Sequence, residues 1–212
     1  MSCSMATCLV LSSVCTANTK RPVSSNSAIC RYNSNSRFLQ VGLQRRGGLT
    51  SRISLDTLLD NYFKRETVTD FFCENCKKKG EIIKKEEIIK FPETLVVNLK
   101  RFEFFSFERK LENRVGILEE IDLGRFFVGC EGLGKESSAF VKKSRKKGRY
   151  RLKSFIEHTG RINHGHYVSY CFEEKLGVWL LFNDKRVSIP IDDNFFEGCD
   201  VGVYMLFYER IG

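Results

Sequence analysis

The sequence predicts an α+β domain organised around an antiparallel sheet. Three features lead to that class: a single stretch with helical spacing, six short stretches rich in β-branched and aromatic residues, and one unmistakable hairpin. Leu55, Leu58, Leu59, Tyr62 and Phe63 recur at intervals of three and four behind Ser54, a residue suited to cap a helix N-terminus. Extended segments are expected over 81–90, over 95–99 after the Pro92 turn, over 150–158, over 167–172 and 178–182, and over 203–208. The last pair before 203 is joined by Glu173-Glu174-Lys175-Leu176-Gly177, a polar turn of hairpin length. No internal repeat, heptad run or glycine-rich phosphate loop interrupts this pattern.

Residues 1–53 read differently. They are rich in Ser, Arg and Asn, and residues 1–55 hold seven of the 35 basic residues and no acid, which leaves 28 basic against 26 acidic beyond. The formal charge of +9 therefore describes the front of the chain, and the remainder is close to neutral, so nucleic acid is not expected as a partner. The division predicted is a basic, Ser-rich leader over 1–53, disordered or targeting-like, and a folded portion over 54–212. The leader is closer in composition to an organelle transit peptide than to a secretory signal, whose charged start it lacks. No segment is long and apolar enough to span a bilayer. Nine cysteines, an odd number without a disulfide-like framework, fit a reducing compartment, cytoplasmic or nuclear. A second basic run over 142–149 reads as a solvated loop.

The chemistry concentrates in one stretch. All three histidines, His158, His164 and His166, fall within nine residues, immediately before the hairpin. An imidazole can take up and return a proton near neutrality if a polar group fixes its tautomer. With the turn centred on Lys175, paired positions sum to about 350. That puts His166 opposite Asp184, or opposite Asn183 after a shift of one residue, and the register decides between them. His158 reads as a packed, hydrogen-bonded histidine and His164 as a loop residue.

These residues resemble the histidine box of the ubiquitin-specific proteases, papain-like cysteine enzymes that cleave after ubiquitin's C-terminal glycine: Gly165-His166-Tyr167, Ser169-Tyr170, a strand with Trp179, then Phe182-Asn183-Asp184 and Val187. Four further blocks agree in order. They are the helix from Ser54 through Glu66, the pair Cys73-Glu-Asn-Cys76, the stretch from Pro92 through Leu99-Lys100-Arg101-Phe102, and the closing Val203-Tyr204-Met205-Leu206-Phe207-Tyr208. The resemblance implies a partial papain-like fold: a β-rich palm with one N-terminal helix and a remnant finger. It implies a deubiquitinase in which His166 is the general base, Asn183 holds its ring and Asp184 belongs to the same network. The partner implied is ubiquitin or a ubiquitinated protein.

Two parts of the family pattern are incomplete. The cysteine box, an Asn-rich turn at a helix start, is not recognisable, so the nucleophile is unassigned. Asn26 to Ser34 echoes its order around Cys30, the one candidate. Cys73 and Cys76 would supply half of a structural zinc site, or else mark a degenerate finger tip. No other cofactor is expected. A catalytically inactive, ubiquitin-binding scaffold is the alternative function.

Overall fold

The computed structural model describes residues 29–33, 38–43, 52–73, 78–88, 90–104, 108–127, 146–161, 164–191 and 194–211. They divide into two compact units, one drawn from residues 1–32 and 63–87 and the other from 33–62 and 88–212.

The smaller unit is a three-stranded sheet in the order β1-β5-β4, with β1 Ile29–Asn33, β4 Glu66–Cys73 and β5 Lys78–Glu87. β4 and β5 form an antiparallel hairpin whose pairing slips between Val68 and Phe71. Asp70 takes a left-handed conformation there, with φ 57°, a region that an aspartate tolerates.

The larger unit holds the main sheet. Its strands are β2 Phe38–Gly42, β6 Thr94–Lys100, β10 Glu120–Asp122, β11 Arg149–Gly160, β12 Gly165–Glu173, β13 Val178–Asn183, β14 Arg186–Ser188 and β15 Val203–Arg210. They run in the order β14-β13-β12-β11-β15-β6-β2, and β10 shares the β12 edge of β11. The expected segments over 95–99, 150–158, 167–172, 178–182 and 203–208 are all strands of this sheet. Beside it lie a short parallel pair, β3 Ile53–Ser54 with β9 Val115–Gly116, and a small hairpin of β7 Phe102–Phe104 with β8 Glu108–Lys110.

Helix α1 Leu55–Tyr62 starts where Ser54 predicts: its Oγ accepts the Asp56 N–H at 3.2 Å. Leu55, Leu58 and Leu59 are its buried stripe. Two short turns of helix, at Gly124–Phe126 and at α2 Phe195–Gly198, complete the elements among the described residues.

One expectation is corrected. Phe38–Gly42 lies inside the stretch read as leader, yet it is a strand that pairs in parallel with β6, with Leu39 and Val41 buried. The sheet is therefore mixed. Alternation over Leu39 and Val41 is only five residues long, and its polar, basic surroundings hid it.

The core between sheet and helix is aliphatic, with Leu95, Val97, Leu99 and Leu206 all essentially inaccessible. The same alternation carries one more residue inward, Arg101, at 0 % exposure. Its guanidinium donates to the carbonyls of Val203 at 2.5 Å, Leu111 at 3.0 Å, Asn113 at 2.8 Å and Asp200 at 3.0 Å. Burial lowers its pKa to about 10, so it stays charged at neutrality. Arg101 thus ties the end of β6 to the loop after β8 and to the start of β15.

Candidate active site

The hairpin β12–β13 carries the site. Glu173 opens a four-residue turn that closes with Gly177, at φ 67°, whose N–H donates to the Glu173 carbonyl at 2.8 Å. Below it Glu173 pairs with Val178, Cys171 with Leu180 and Ser169 with Phe182, so partner numbers sum to 351 rather than 350. Continued one step, that register sets Asn183 against Val168. His166, two residues back along β12, shares Val168's face, so His166 and Asn183 are diagonal neighbours rather than directly opposed.

Diagonal placement still brings them into contact: His166 Nε2 and Asn183 Oδ1 are 2.7 Å apart. An amide oxygen only accepts, so Nε2 bears the hydrogen and Nδ1 presents its lone pair. The imidazole is exposed, and a reacting group can reach it. Asp184 stands outside this pair. It occupies the β13–β14 turn with φ 53°, where an aspartate tolerates the left-handed region, and its side chain is exposed.

Aromatic packing stiffens the platform on the same face. Tyr170 stacks on Phe155 across the β11–β12 pair at 4.5 Å, and Phe195 of α2 stacks on Tyr170 at 5.4 Å. Trp179 meets Phe196 edge-on at 5.3 Å. These rings fix the ladder that aims His166 and Asn183.

The other two histidines do not join the pair. His158 is opposite Tyr167, which faces away from His166's side of the sheet; it is buried at 2 % exposure, with its ring 4.5 Å from Tyr167 and 5.6 Å from Phe102. Desolvation, then the charge of Lys110, lowers its pKa. His164 is exposed in the turn between β11 and β12.

Cys171 and Cys199 are poor nucleophiles. Burial pushes the Cys199 thiol up to about 12, and burial raises that of Cys171 as well. Cys30 lies in strand β1 of the smaller unit rather than at a helix start, and its side chain is outside the described residues. Cys73 ends β4, paired with Lys78, at the tip of the hairpin; Cys76 is outside the described residues. Among the described residues no group of three or more His, Cys, Asp or Glu side chains could hold a metal ion. No helix among them is long and apolar enough to cross a membrane.

Sequence reasoning missed Arg101 and Asp200 as the polar centre of the larger unit. Asp200 is 1 % exposed and pairs through Oδ2 with Arg114 at 2.9 Å and Arg52 at 3.3 Å. The signal for Arg101 was available: it continues the inward alternation of Leu95, Val97 and Leu99. None marks Asp200.

Known proteins resemble this chain in sequence and in fold. Residues 36–208 match the family model described as ubiquitin carboxyl-terminal hydrolase. A ubiquitin carboxyl-terminal hydrolase 36 of Drosophila mojavensis is 32% identical over 159 residues, covering 74% of this chain and 12% of that protein. A ubiquitin carboxyl-terminal hydrolase 10 of Saccharomyces cerevisiae is 27% identical over 203 residues, covering 92% and 23%. Among solved structures, the SAGA DUB module of Ubp8, Sgf11, Sus1 and Sgf73 bound to monoubiquitin matches with TM-score 0.60 and 26% identity, over 82% of this chain and 35% of that one. The same module bound to ubiquitin aldehyde matches with TM-score 0.59 and 26% identity, over 82% and 36%. The chain spans less than a quarter of the length of these relatives and about a third of the solved chains. Its sheet-rich α+β architecture is the papain-like fold of those structures, and the chain belongs to the ubiquitin carboxyl-terminal hydrolase family.

Proposed function

We propose that this chain carries the general-base half of a thiol-dependent deubiquitinase. The observation that supports it is the 2.7 Å hydrogen bond between His166 Nε2 and Asn183 Oδ1 on an exposed, rigid ladder. With Nε2–H given to Asn183, the lone pair on Nδ1 accepts a thiol proton. The thiolate attacks the carbonyl carbon of ubiquitin's C-terminal glycine, the C–N bond after it breaks to leave a thioester, and the imidazolium returns the proton to the departing amine. Water then hydrolyses the thioester with His166 again as base. Asn183 orients the ring throughout; Asp184, which the resemblance assigns to the same network, stands in the turn one residue on.

The thiol itself is not assigned. Cys171 and Cys199 have raised pKa values that keep them protonated, and Cys30 is the remaining candidate in the chain that sequence order singles out. A ubiquitin probe with a C-terminal electrophile tests the reading. An adduct that disappears on His166→Ala is expected, and its loss on Cys30→Ala would identify the sulfur. Labelling that survives His166→Ala would overturn the role given to His166. Absence of an adduct with retained ubiquitin binding would instead mark a catalytically inactive scaffold.

A further inference from the structure

The backbone leading into His166 is gripped from the far side of the sheet. Thr159 pairs with His166 and Gly160 with Gly165. The His158 ring lies so close to Gly165 that a Cβ there would stand 2.0 Å from Nε2 and 2.8 Å from Cε1, with the Thr159 carbonyl 2.7 Å away. His158 is itself held at both backbone atoms. Its N–H donates to the Gly202 carbonyl at 2.9 Å, and its carbonyl accepts from Lys110 Nζ at 2.7 Å. The same ammonium reaches the Gly160 carbonyl at 3.2 Å, clamping the strand that faces Gly165.

We infer that His158 is a positioning residue for His166: as a neutral ring it holds the Gly165 backbone in place from the opposite face, and on protonation it releases that backbone. The inference rests on the reading of His166 as general base. Its physical ground is the ring's surroundings. His158 Nδ1 is buried without a hydrogen-bond partner, so a second ring proton finds no acceptor there. The groups packed on the ring are Phe102 from β7 and Tyr167 from β12, with Tyr204 of β15 against both at 5.5 and 6.2 Å. Lys110 of β8 is the charge that acts on it, and it is a cation. An imidazolium is disfavoured in this place, and when the ring moves out Gly165 loses the surface it rests on. The lowered pKa agrees with that preference for the neutral ring.

Nuclear magnetic resonance on the full chain labelled at histidine and glycine tests this, since three histidines are assigned by single substitutions. In the unsubstituted chain, His158 is expected to take its proton at a lower pH than a free histidine peptide. The Gly165 amide should show a step at that same midpoint, separate from any step it shares with His166. His158→Phe, which fills the space without titrating, should abolish that step alone. At pH 7.5, His158→Ala should convert His166 from a single Nε2–H tautomer to a mixture, while His158→Phe retains the single form. A Gly165 amide with no step at the His158 midpoint, a step that survives His158→Phe, or a His158 that protonates as readily as the free peptide would each overturn the inference. His158→Gln serves if the alanine variant does not fold, and the titration of the unsubstituted chain needs no variant. If His166 is a tautomer mixture in the unsubstituted chain, or Asn183→Ala leaves its tautomer unchanged, the general-base reading fails, and the His158 to Gly165 coupling is still judged by its own midpoint.

Discussion

His166 and Asn183 show how much a single contact carries. The amide oxygen selects the tautomer, and the tautomer decides which ring nitrogen keeps a free lone pair. Removing the amide by Asn183→Ala leaves the ring free to rotate. In any preparation that labels with a ubiquitin electrophile, the adduct rate should fall about 10- to 100-fold, the equivalent of one strong hydrogen bond. If His166 is the general base proposed above, His166→Ala should lower the rate by a factor on the order of 10² or more in the same assay. Asp184→Asn should change the rate less than Asn183→Ala, because the imidazole contact belongs to Asn183 and Asp184 stands in the turn. A larger effect at Asp184 than at Asn183, measured side by side, would reverse that ranking.

At the level of the element, the β11–β12 hairpin depends on glycine at both ends. Gly160 has φ 96°, and a Cβ there would meet the His164 carbonyl at 2.6 Å. Gly165 has no room for a methyl group between the His158 ring and the Thr159 carbonyl. Gly165→Ala should therefore destabilise the larger unit by about 2 kcal/mol or more, read as a shift in the denaturant midpoint at constant slope. The β12–β13 hairpin was legible in the sequence because its turn chemistry and its aromatic strands agree. Its register was not, because a partner sum of 350 or 351 depends on where one turn residue falls. Strand β2 was hidden for another reason: it gains its stability from a parallel partner 58 residues away, as Phe38 paired with Val96 shows, and local pattern carries no trace of that.

For the whole molecule, the larger unit is organised about a buried charge. Arg101 satisfies four carbonyls from two separate segments, so Arg101→Met leaves them without donors and should cost about 3 kcal/mol or more. Arg101→Lys should rescue little of it, since an ammonium cannot reproduce the planar fork; equal thermal midpoints for Arg101→Lys and the unsubstituted chain would refute this. The pH dependence follows from His158. Its folded-state pKa is lowered, so below the ordinary histidine value of about 6.5 the unfolded chain binds the proton more readily and stability falls. Melting temperature should therefore drop as pH is lowered from 7.5 through 6, and His158→Phe should flatten that slope.

The family resemblance, the helix capped by Ser54, the five longer strands of the main sheet from 95 onward, and a choice between Asn183 and Asp184 as partner to His166 were legible in the sequence. Local pattern was enough for these, because strand and helix periods, turn residues and motif order are written in neighbouring positions. It takes the folded sheet to show that His166 and Asn183 meet diagonally, that His158 faces the opposite side of the sheet, and that Arg101 is buried at the junction of three segments. Each of those is a matter of register or of contact between distant segments. A shift of one residue exchanges the two faces of a strand, and carbonyls 100 residues from Arg101 along the chain become its partners only when the sheet has closed.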